Sequence, residues 1–442
     1  MTTFSPRSFM LGFPHSMEKD FDRFHKAVDF IDSLGNLPLF PEYMESGEQS
    51  HPEIYLKRMR YFLKLLGNPE KNFKFVHVTG TAGKGTVATM IHNSLVASGK
   101  KCGLFTSPYV VSATEKIQVG DWYIGAGEFA DLVEVVKPVI DTAYISGEFG
   151  RPSHFEIYFA LALLYFKQKK CEWAVLEVGC GGRYDATNII KSPEASAVTC
   201  IDYDHTEILG STLKVIAYDK AGIIKRGSKF FTTEKRPALR KIFERVCGEE
   251  EASFEAVFPA ANGDSNKLLA ETILRSLGVS EVSIRKGITR TKLPARFEVV
   301  SRKPLVIIDG AHNRSKMAHT VALLKKEKFG KLFLIIGIAD NKDSHDIFQN
   351  IIPLADEIFF TRFASRDRKP APPLRLLKES KRYLKPSAKV KIYLDSSDAL
   401  AAACDRLGKD DCLLATGSFF LAGELRKRWF PEGRILKGRR SF

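Results

Sequence analysis

The stretch FKFVHVTGTAGKGTVATMIHNSLVAS (residues 73–98) decides the fold of this chain. It begins with a short, apolar and β-branched run, which is typical of a strand buried on both faces of a parallel sheet. A glycine-rich loop, GTAGKGT (80–86), follows, and the remainder has the pattern of a helix. Strand, loop and helix in this order predict a phosphate-binding loop, because backbone N–H groups and the helix N-terminus both attract an anion.

Within this loop, Lys84 supplies a positive charge for the β- and γ-phosphates of a nucleotide. The loop is a variant of the common pattern, since Gly85 separates Lys84 from the hydroxyl of Thr86 and no glycine occupies the first position. The alternative is a plain glycine turn, which a lysine at this place disfavours. The residues predicted to bind ATP here are Gly80, Thr81, Ala82, Gly83, Lys84, Gly85 and Thr86.

Apolar strand-like runs alternate with helical patterns along most of the 442 residues, which predicts an α/β protein. The chain is long enough for two cores, because a single core rarely exceeds about 300 residues. We predict a doubly wound, mainly parallel, P-loop-containing domain over residues 1–291 and a smaller Rossmann-like α/β domain over residues 292–442. The predicted buried strands are 73–78, 174–179 and 197–202 in the first domain, and 304–309, 331–337, 357–361, 389–394 and 412–417 in the second.

Composition narrows the function only a little. The net charge of +15 is compatible with nucleic acid, anionic substrates or a solvated surface, but the densest basic run (426–440) lacks an aromatic repeat, so we expect no nucleic-acid partner. The seven cysteines form no CxxC pair and no Cys/His cluster, which argues against a zinc site or a disulfide framework. No stretch approaches the ~20 apolar residues of a membrane helix. We expect a cytoplasmic monomer without a membrane partner, with an organellar transit peptide as the alternative that the early Arg7 leaves open.

The motif EVGCGGRYDATN (177–188) indicates a metal site. Glu177 lies at the end of a predicted buried strand, where α/β sheets place ligand-binding groups. Magnesium prefers oxygen ligands and often takes only one or two protein carboxylates beside nucleotide phosphates. Glu177 is therefore the first candidate ligand for Mg²⁺.

Lys220 is spaced three, four and seven residues from Ala217, Ile216 and Leu213, which puts it on the apolar face of a predicted helix. Burial lowers the pKa of a lysine toward a reactive neutral amine, and such an amine can take up carbon dioxide. The alternative is a lysine whose ammonium group reaches solvent along its own alkyl chain.

Together these motifs resemble the folylpolyglutamate synthase and dihydrofolate synthase family of the muramyl ligase superfamily. That family carries GTNGKG[ST] where this chain has GTAGKGT, and TSPHL where it has TSPYV (106–110), with Tyr109 in place of histidine. The similarity continues in order through HFEIYFALALLYF, EVGCGGRYDATN, DYDHTEILGSTLKVIAYDKAGIIK, FEVV, IIDGAHN and TGSFFLAGE. It implies an ATP-dependent ligase that uses two Mg²⁺ ions and adds L-glutamate to a folate or dihydropteroate carboxylate through an acyl phosphate.

The resemblance also implies roles for single residues. The implied catalytic residues are Lys84, His205 and Lys220, and the implied metal site comprises Thr86, Ser107, Glu177, His205 and a carbamylated Lys220. The adenosine side is implied at Asn266, Arg296 and Asp309, with His312 beside them. The folate site is implied at Ser153, Phe155, Arg183, Asp185 and Ala186, where Phe155 stacks on the pterin ring or belongs to the core. The candidates for binding the incoming glutamate are Asp340, Lys342, Asp343, Thr361, Arg366 and Arg368.

Other functions stay open at this point. A muramyl-type ligase of cell-wall precursors would use the same loop, histidine and lysine, although the TSP segment, GGRYDATN and the expected lack of a further N-terminal domain favour a folate. A P-loop kinase is a different class of enzyme, and it needs no buried lysine that can be carbamylated. A non-catalytic relative that only binds nucleotide is the remaining alternative, because Ala82 and Tyr109 depart from the family pattern.

Overall fold

A computed structural model of the chain describes residues 15–34, 52–147, 149–260, 263–365 and 368–442. Two sheets with helices packed on their faces form the two halves of this part of the chain. The architecture confirms the predicted α/β fold class. None of the described helices combines the length and the apolar run that a membrane crossing requires.

The first half is built on an eight-stranded sheet in the order β4-β3-β2-β5-β1-β6-β7-β8. Six of its strands are parallel, and the β3–β4 hairpin extends one edge in antiparallel fashion. Since β1 lies between β5 and β6, the loop that follows β1 opens beside the carboxyl ends of both neighbours. The strands are β1 (Lys74–Thr79), β2 (Cys102–Phe105), β3 (Ile117–Val119), β4 (Trp122–Tyr123), β5 (Trp173–Glu177), β6 (Ala195–Val198), β7 (Lys229–Thr232) and β8 (Ser253–Ala256).

The second half is built on a six-stranded sheet in the order β13-β12-β11-β14-β10-β9. Only β9 runs antiparallel to its neighbour; the other strands are parallel, and all of them except the edge strand β13 are buried along their whole length. Buried parallel strands explain why their sequences are continuous apolar runs. The strands are β9 (Glu298–Arg302), β10 (Leu305–Ile308), β11 (Leu332–Ile336), β12 (Glu357–Phe360), β13 (Lys389–Ile392) and β14 (Cys412–Thr416).

Helices cover both sheets. In the first half they are α1 (His15–Ser33), α2 (Glu53–Leu65), α3 (Lys84–Ala97), α4 (Ala126–Ser146), α5 (His154–Gln168), α6 (Thr206–Leu209), α7 (Leu213–Ala221), α8 (Pro237–Glu249), α9 (Ser265–Ser276) and α10 (Glu281–Thr289). In the second half they are α11 (Arg314–Leu324), α12 (Ser344–Ile351), α13 (Pro373–Ser380), α14 (Ser396–Cys404), α15 (Phe419–Arg426) and α16 (Glu432–Gly438).

The predicted strands lie at the predicted places, with one difference at 197–202. There β6 ends at Val198, because the next residues leave the sheet and brace the phosphate loop: the Thr81 N–H donates to the Cys200 carbonyl at 2.8 Å. Strands β2 to β4 and β7 to β9 were not among the predicted strands. They are two to five residues long.

The two halves are tied together at the end of the chain. The Arg439 guanidinium donates to the Tyr123 carbonyl at 2.8 Å, and the Ser441 hydroxyl donates to the buried Glu115 carboxylate at 3.1 Å. The proposed domain boundary near Lys292 falls between α10, which packs on α3, and β9 of the second sheet. That boundary stays a prediction.

Candidate active site

The carboxyl ends of β1, β5 and β6 open onto a cavity of about 570 Å³, here called the nucleotide cavity. Its walls come from both halves of the molecule. From the first half they include Thr81, Ala82, Gly83, Lys84, Thr86, Ser107, Glu177, His205 and Asn266, and from the second Arg296, Asp309, His312 and Lys316. Most residues predicted to bind ATP and metal are therefore brought together, although their roles stay predictions.

The phosphate loop is shaped by its glycines. Gly80 and Gly83 have positive φ angles of 144° and 86°, which residues with a side chain rarely adopt. A side chain at Gly83 would also collide with the amide of Asn266, so this predicted adenosine residue lies directly against the loop. Lys84 begins α3, and its ammonium group donates to the Gly80 carbonyl at 3.0 Å.

Glu177 ends β5 and is only 3% exposed. The Ser107 N–H, which follows the adjacent strand β2, donates to Glu177 Oε2 at 3.0 Å. Burial raises the pKa of Glu177, and the positive charge of Lys84 opposes this rise. A carboxylate with a single hydrogen-bond donor beside a phosphate loop is suited to a divalent cation that also binds phosphate oxygens.

His205, another residue of the predicted metal site, is suited to the same role. Burial lowers the pKa of His205 to about 4, so its imidazole is neutral at pH 7 and can donate a lone pair to a metal. Within the described ranges, no group of three or more His, Cys, Asp and Glu side chains is arranged for a metal ion. Phosphate oxygens would have to complete the ligand set, as is common for Mg²⁺.

Lys220 is buried, as its place on the apolar face of α7 predicts, and is 4% exposed. Burial lowers its pKa to about 8, with a further contribution from Lys84. Its amine makes no hydrogen bond or ion pair with the residues that the structure describes. Lys220 is not part of the wall of the nucleotide cavity, and the backbone of Gly182 packs against it. It is thus the one predicted metal residue that is absent from the wall of this cavity.

The residues predicted for the adenosine side come mainly from the second half. Arg296 lies over the Phe419 ring, 4.0 Å from its centroid. The Asp309 carboxylate accepts hydrogen bonds from the Phe297 N–H at 2.7 Å, the Ala311 N–H at 2.9 Å and the Thr320 hydroxyl at 2.7 Å. Asp309 is therefore fixed at the end of β10, where it organises the loop as well as lining the cavity.

Two charged residues of this site, Asp204 and Lys316, were missed from the sequence. Lys342 Nζ lies 2.9 Å from Asp204 Oδ1, and Lys316 Nζ lies 3.7 Å from Asp204 Oδ2. Although burial opposes it, these lysines and His205 hold the pKa of Asp204 far below its usual range. Only their positions in the sequence could have indicated these two residues. Asp204 directly precedes His205, and Lys316 falls in the first turn of the helix after IIDGAHN.

A second cavity of about 510 Å³, here called the substrate cavity, adjoins the first. The predicted folate residues Ser153, Phe155, Asp185 and Ala186 line it, and Arg58 was missed. The Phe155 ring also packs on Phe105, with centroids 5.5 Å apart, so one face belongs to the core while the side chain still reaches the cavity.

Arg183 departs from the predicted folate site. Its guanidinium lies over the Tyr218 ring, 4.2 Å from the centroid, and donates to the Tyr218 carbonyl at 3.3 Å. The side chain therefore follows the surface of α7, and Arg183 is absent from the wall of the substrate cavity.

The glutamate candidates divide in the same way. Lys342 and Arg368 line the substrate cavity. Asp340 is instead paired with Arg375 at 2.5 Å, Asp343 caps α12 by accepting the His345 N–H at 2.8 Å, and Thr361 is fully buried. These three side chains have structural partners or surroundings away from the cavity. Arg366 lies outside the described residues.

The two cavities share part of their walls, namely Ser107, Pro108, Gly179, His205, His312 and Phe419. A nucleotide whose phosphates point from the loop toward Ser107 would meet a second substrate at this shared wall. The arrangement can therefore bring a phosphoryl group and an acceptor group together.

Comparison with known proteins agrees with this geometry. The family profile of the Mur ligase middle domain matches residues 78–245, and that of the Mur ligase glutamate ligase domain matches residues 295–419. A dihydrofolate synthase/folylpolyglutamate synthase of Bacillus subtilis is 30% identical over 417 residues, covering 84% of this chain and 94% of that relative. The chain belongs to the folylpolyglutamate synthase and dihydrofolate synthase family.

Solved structures of this family share the fold. The crystal structure of folylpolyglutamate synthase from Thermotoga maritima has a TM-score of 0.75 at 27% identity, with 95% of this chain and 98% of that chain covered. An Escherichia coli structure in complex with DHPP and ADP also has a TM-score of 0.75, at 26% identity, with 91% and 97% covered. Membership confirms the predicted enzyme class, an ATP-dependent ligase of folate and glutamate.

Proposed function

We propose that this ligase uses ATP and Mg²⁺ to activate the carboxylate of a folate or a dihydropteroate as an acyl phosphate, and then joins it to the amine of L-glutamate. The observation that carries the proposal is the shared wall of the two cavities, at Ser107, His205 and His312. It lets the terminal phosphate of a nucleotide held by the loop face a carboxylate in the substrate cavity.

In the first step, a carboxylate oxygen of the acceptor attacks the γ-phosphorus, and the bond to the β-phosphate oxygen breaks to release ADP. Lys84 and the N–H groups of the loop neutralise the charge that grows on the phosphoryl oxygens. Metal bound by Glu177 and His205, with Thr86, Ser107 and a carbamylated Lys220 completing the predicted site, would add positive charge there.

In the second step, the neutral amine of glutamate attacks the acyl carbon, inorganic phosphate leaves with the electrons of the acyl–oxygen bond, and the proton lost from the nitrogen is taken up by this phosphate. Lys342 and Arg368 in the wall of the substrate cavity are suited to the carboxylates of glutamate. No enzyme nucleophile is required. The cysteine thiol in the wall of this cavity supports this, because burial raises the pKa of Cys180 to about 12 and keeps it protonated.

An assay that detects the products directly tests the proposal. Purified protein is incubated with ATP, Mg²⁺, glutamate and either dihydropteroate or tetrahydrofolate, and the acceptors are analysed by mass spectrometry. We expect addition of glutamate to at least one acceptor, with ADP release that requires both acceptor and glutamate. The Lys84→Ala variant serves as the control for background hydrolysis. If glutamate is added to neither acceptor, the assignment is overturned. If ADP is released without an acceptor, the protein is better described as a simple nucleotidase.

A further inference from the structure

Lys316 is a lysine in an unfavourable place. It lies in the first turn of α11, where the positive end of the helix dipole repels a cation, and its side chain is only 17% exposed. It also lines the nucleotide cavity, across which Lys84 and Arg296 add further positive charge. Burial comes first among the causes that lower the pKa of Lys316 to about 7, and Asp204 is the main group that opposes the fall.

The partner of Lys316 can be assigned a protonation state. His312 Nδ1 lies 2.8 Å from the Gly310 carbonyl, which can only accept, so Nδ1 carries the proton. Burial and Lys316 hold the pKa of His312 well below its usual value, so the ring is neutral and Nε2 has a free lone pair. Lys316 Nζ lies 2.9 Å from this Nε2 and donates to it.

One N–H of the ammonium group remains for a ligand. The described partners of Lys316 Nζ are His312 Nε2 and, at 3.7 Å, the Asp204 carboxylate. An ammonium group has three N–H donors. Because His312 lines both cavities, its bond to Lys316 holds the remaining donor close to the shared wall.

We propose that Lys316 binds the terminal phosphoryl group of ATP, and later the phosphate that leaves, from the second half of the molecule, while Lys84 binds it from the first. The inference rests on the proposed function, in which this phosphoryl group must lie at the shared wall. An anion bound there would offset the positive charges of Lys84, Arg296 and Lys316. Lys316 is a catalytic residue in this proposal because it contacts the reacting phosphoryl group.

The test compares two nucleotides that differ in the terminal phosphate. Binding of ADP and of the non-hydrolysable ATP analogue AMP-PCP is measured by calorimetry with Mg²⁺ for the wild type and for Lys316→Met. We expect the analogue to bind about 10- to 100-fold more weakly to the variant, the effect of one charge-assisted hydrogen bond, and ADP to bind within about twofold of the wild type. Lys316→Arg should keep the preference for the analogue.

Arg314→Met is the matched control, because Arg314 begins the same helix, carries the same charge and is exposed. It should leave both affinities unchanged. Should Lys316→Met fold poorly, Lys316→Gln removes the charge but keeps a side-chain N–H donor on the same turn of the helix. Equal weakening of both nucleotides, or of neither, would overturn the proposal. This test does not depend on the product assay, because calorimetry measures nucleotide binding and requires no ligase activity. The proposal for Lys316 and the proposed function can therefore fail separately.

Discussion

The two halves of the active-site cleft hold their charged groups in different ways. In the first half, Glu177 has one hydrogen-bond donor and Lys220 has no described partner, although both are almost fully buried. In the second half, Asp309 accepts three hydrogen bonds, from its own loop, from the following helix and from the segment that precedes β9. Buried charged groups are costly to leave unpaired. The difference indicates that Glu177 and Lys220 are arranged for metal and phosphate that bind later, whereas Asp309 is already satisfied and holds its own loop in place.

The largest effect should come from the phosphate loop. Lys84→Ala removes the cation at the γ-phosphate, and we expect turnover to fall about 10³-fold and ATP affinity to fall with it. ADP formation in the complete assay and calorimetry with ATP measure the two quantities. Lys100→Ala, an exposed lysine just beyond the same helix, should behave as the wild type. Turnover above a tenth of the wild-type value would contradict the importance given to the first half.

Lys220 should separate chemistry from binding. We expect Lys220→Ala to lower turnover about 100-fold or more, with ATP affinity changed only a few-fold, because the lysine is absent from the wall of the nucleotide cavity and, as the proposed carbamate, would act through the metal. A small carboxylate such as formate should restore part of the activity by replacing the carbamate oxygens.

Lys225 provides the matched control for this experiment. Burial lowers its pKa to about 8 as well, but its amine donates to the Gly222 carbonyl at 3.0 Å. Lys225→Ala should therefore retain turnover. Unchanged turnover in Lys220→Ala, or no carbon dioxide adduct on Lys220 by ¹³C NMR with labelled bicarbonate, would refute the carbamate.

A variant on the predicted adenosine side should affect the binding of the two nucleotides evenly. Arg296→Met removes the guanidinium from the predicted adenosine side, and we expect ADP and AMP-PCP to bind about 10-fold more weakly, each to the same extent. Arg302→Met, in an exposed pair with Glu327, is the control. If only the affinity for AMP-PCP fell, Arg296 would lie near the terminal phosphate. Its variant would then behave like Lys316→Met, and the expected difference between the two residues would be refuted.

The smallest effect concerns stability toward acid. His77 and His92 of the first half are fully buried, and burial lowers their pKa to about 3 and about 4. Below pH 6.5 the unfolded chain binds protons that the folded chain refuses, so the free energy of unfolding must fall as the pH falls, by roughly 1.4 kcal/mol per pH unit and histidine.

Urea unfolding at pH 7, 6 and 5 measures this slope. In His92→Gln the slope should be smaller by about one proton, whereas His25→Gln, at a side chain 51% exposed, should leave it unchanged. Equal slopes in all three proteins would show that the acid sensitivity lies elsewhere.

Patterns within short stretches of sequence account for the strands, the phosphate loop and the buried lysine that were predicted. The strand before Gly80 and the helix after Lys84 follow from one continuous apolar run and one glycine-rich loop, and the structure places both within two residues of the prediction. The burial of Lys220 follows from the spacing of its helical neighbours. The predicted strand at 197–202 was too long, because a loop that braces another loop has no periodicity of its own.

The sequence by itself determined the α/β fold, the phosphate loop with Lys84, the strand-end Glu177 and the apolar-face Lys220. Each of these depends on residues within a few positions of one another, so periodicity and composition carry the information. Only the tertiary structure decided that Arg183 turns onto Tyr218, and that Asp204 meets Asn313 and Lys342, which lie 109 and 138 residues away along the chain. Such contacts depend on how the two sheets pack against each other, which no local pattern records.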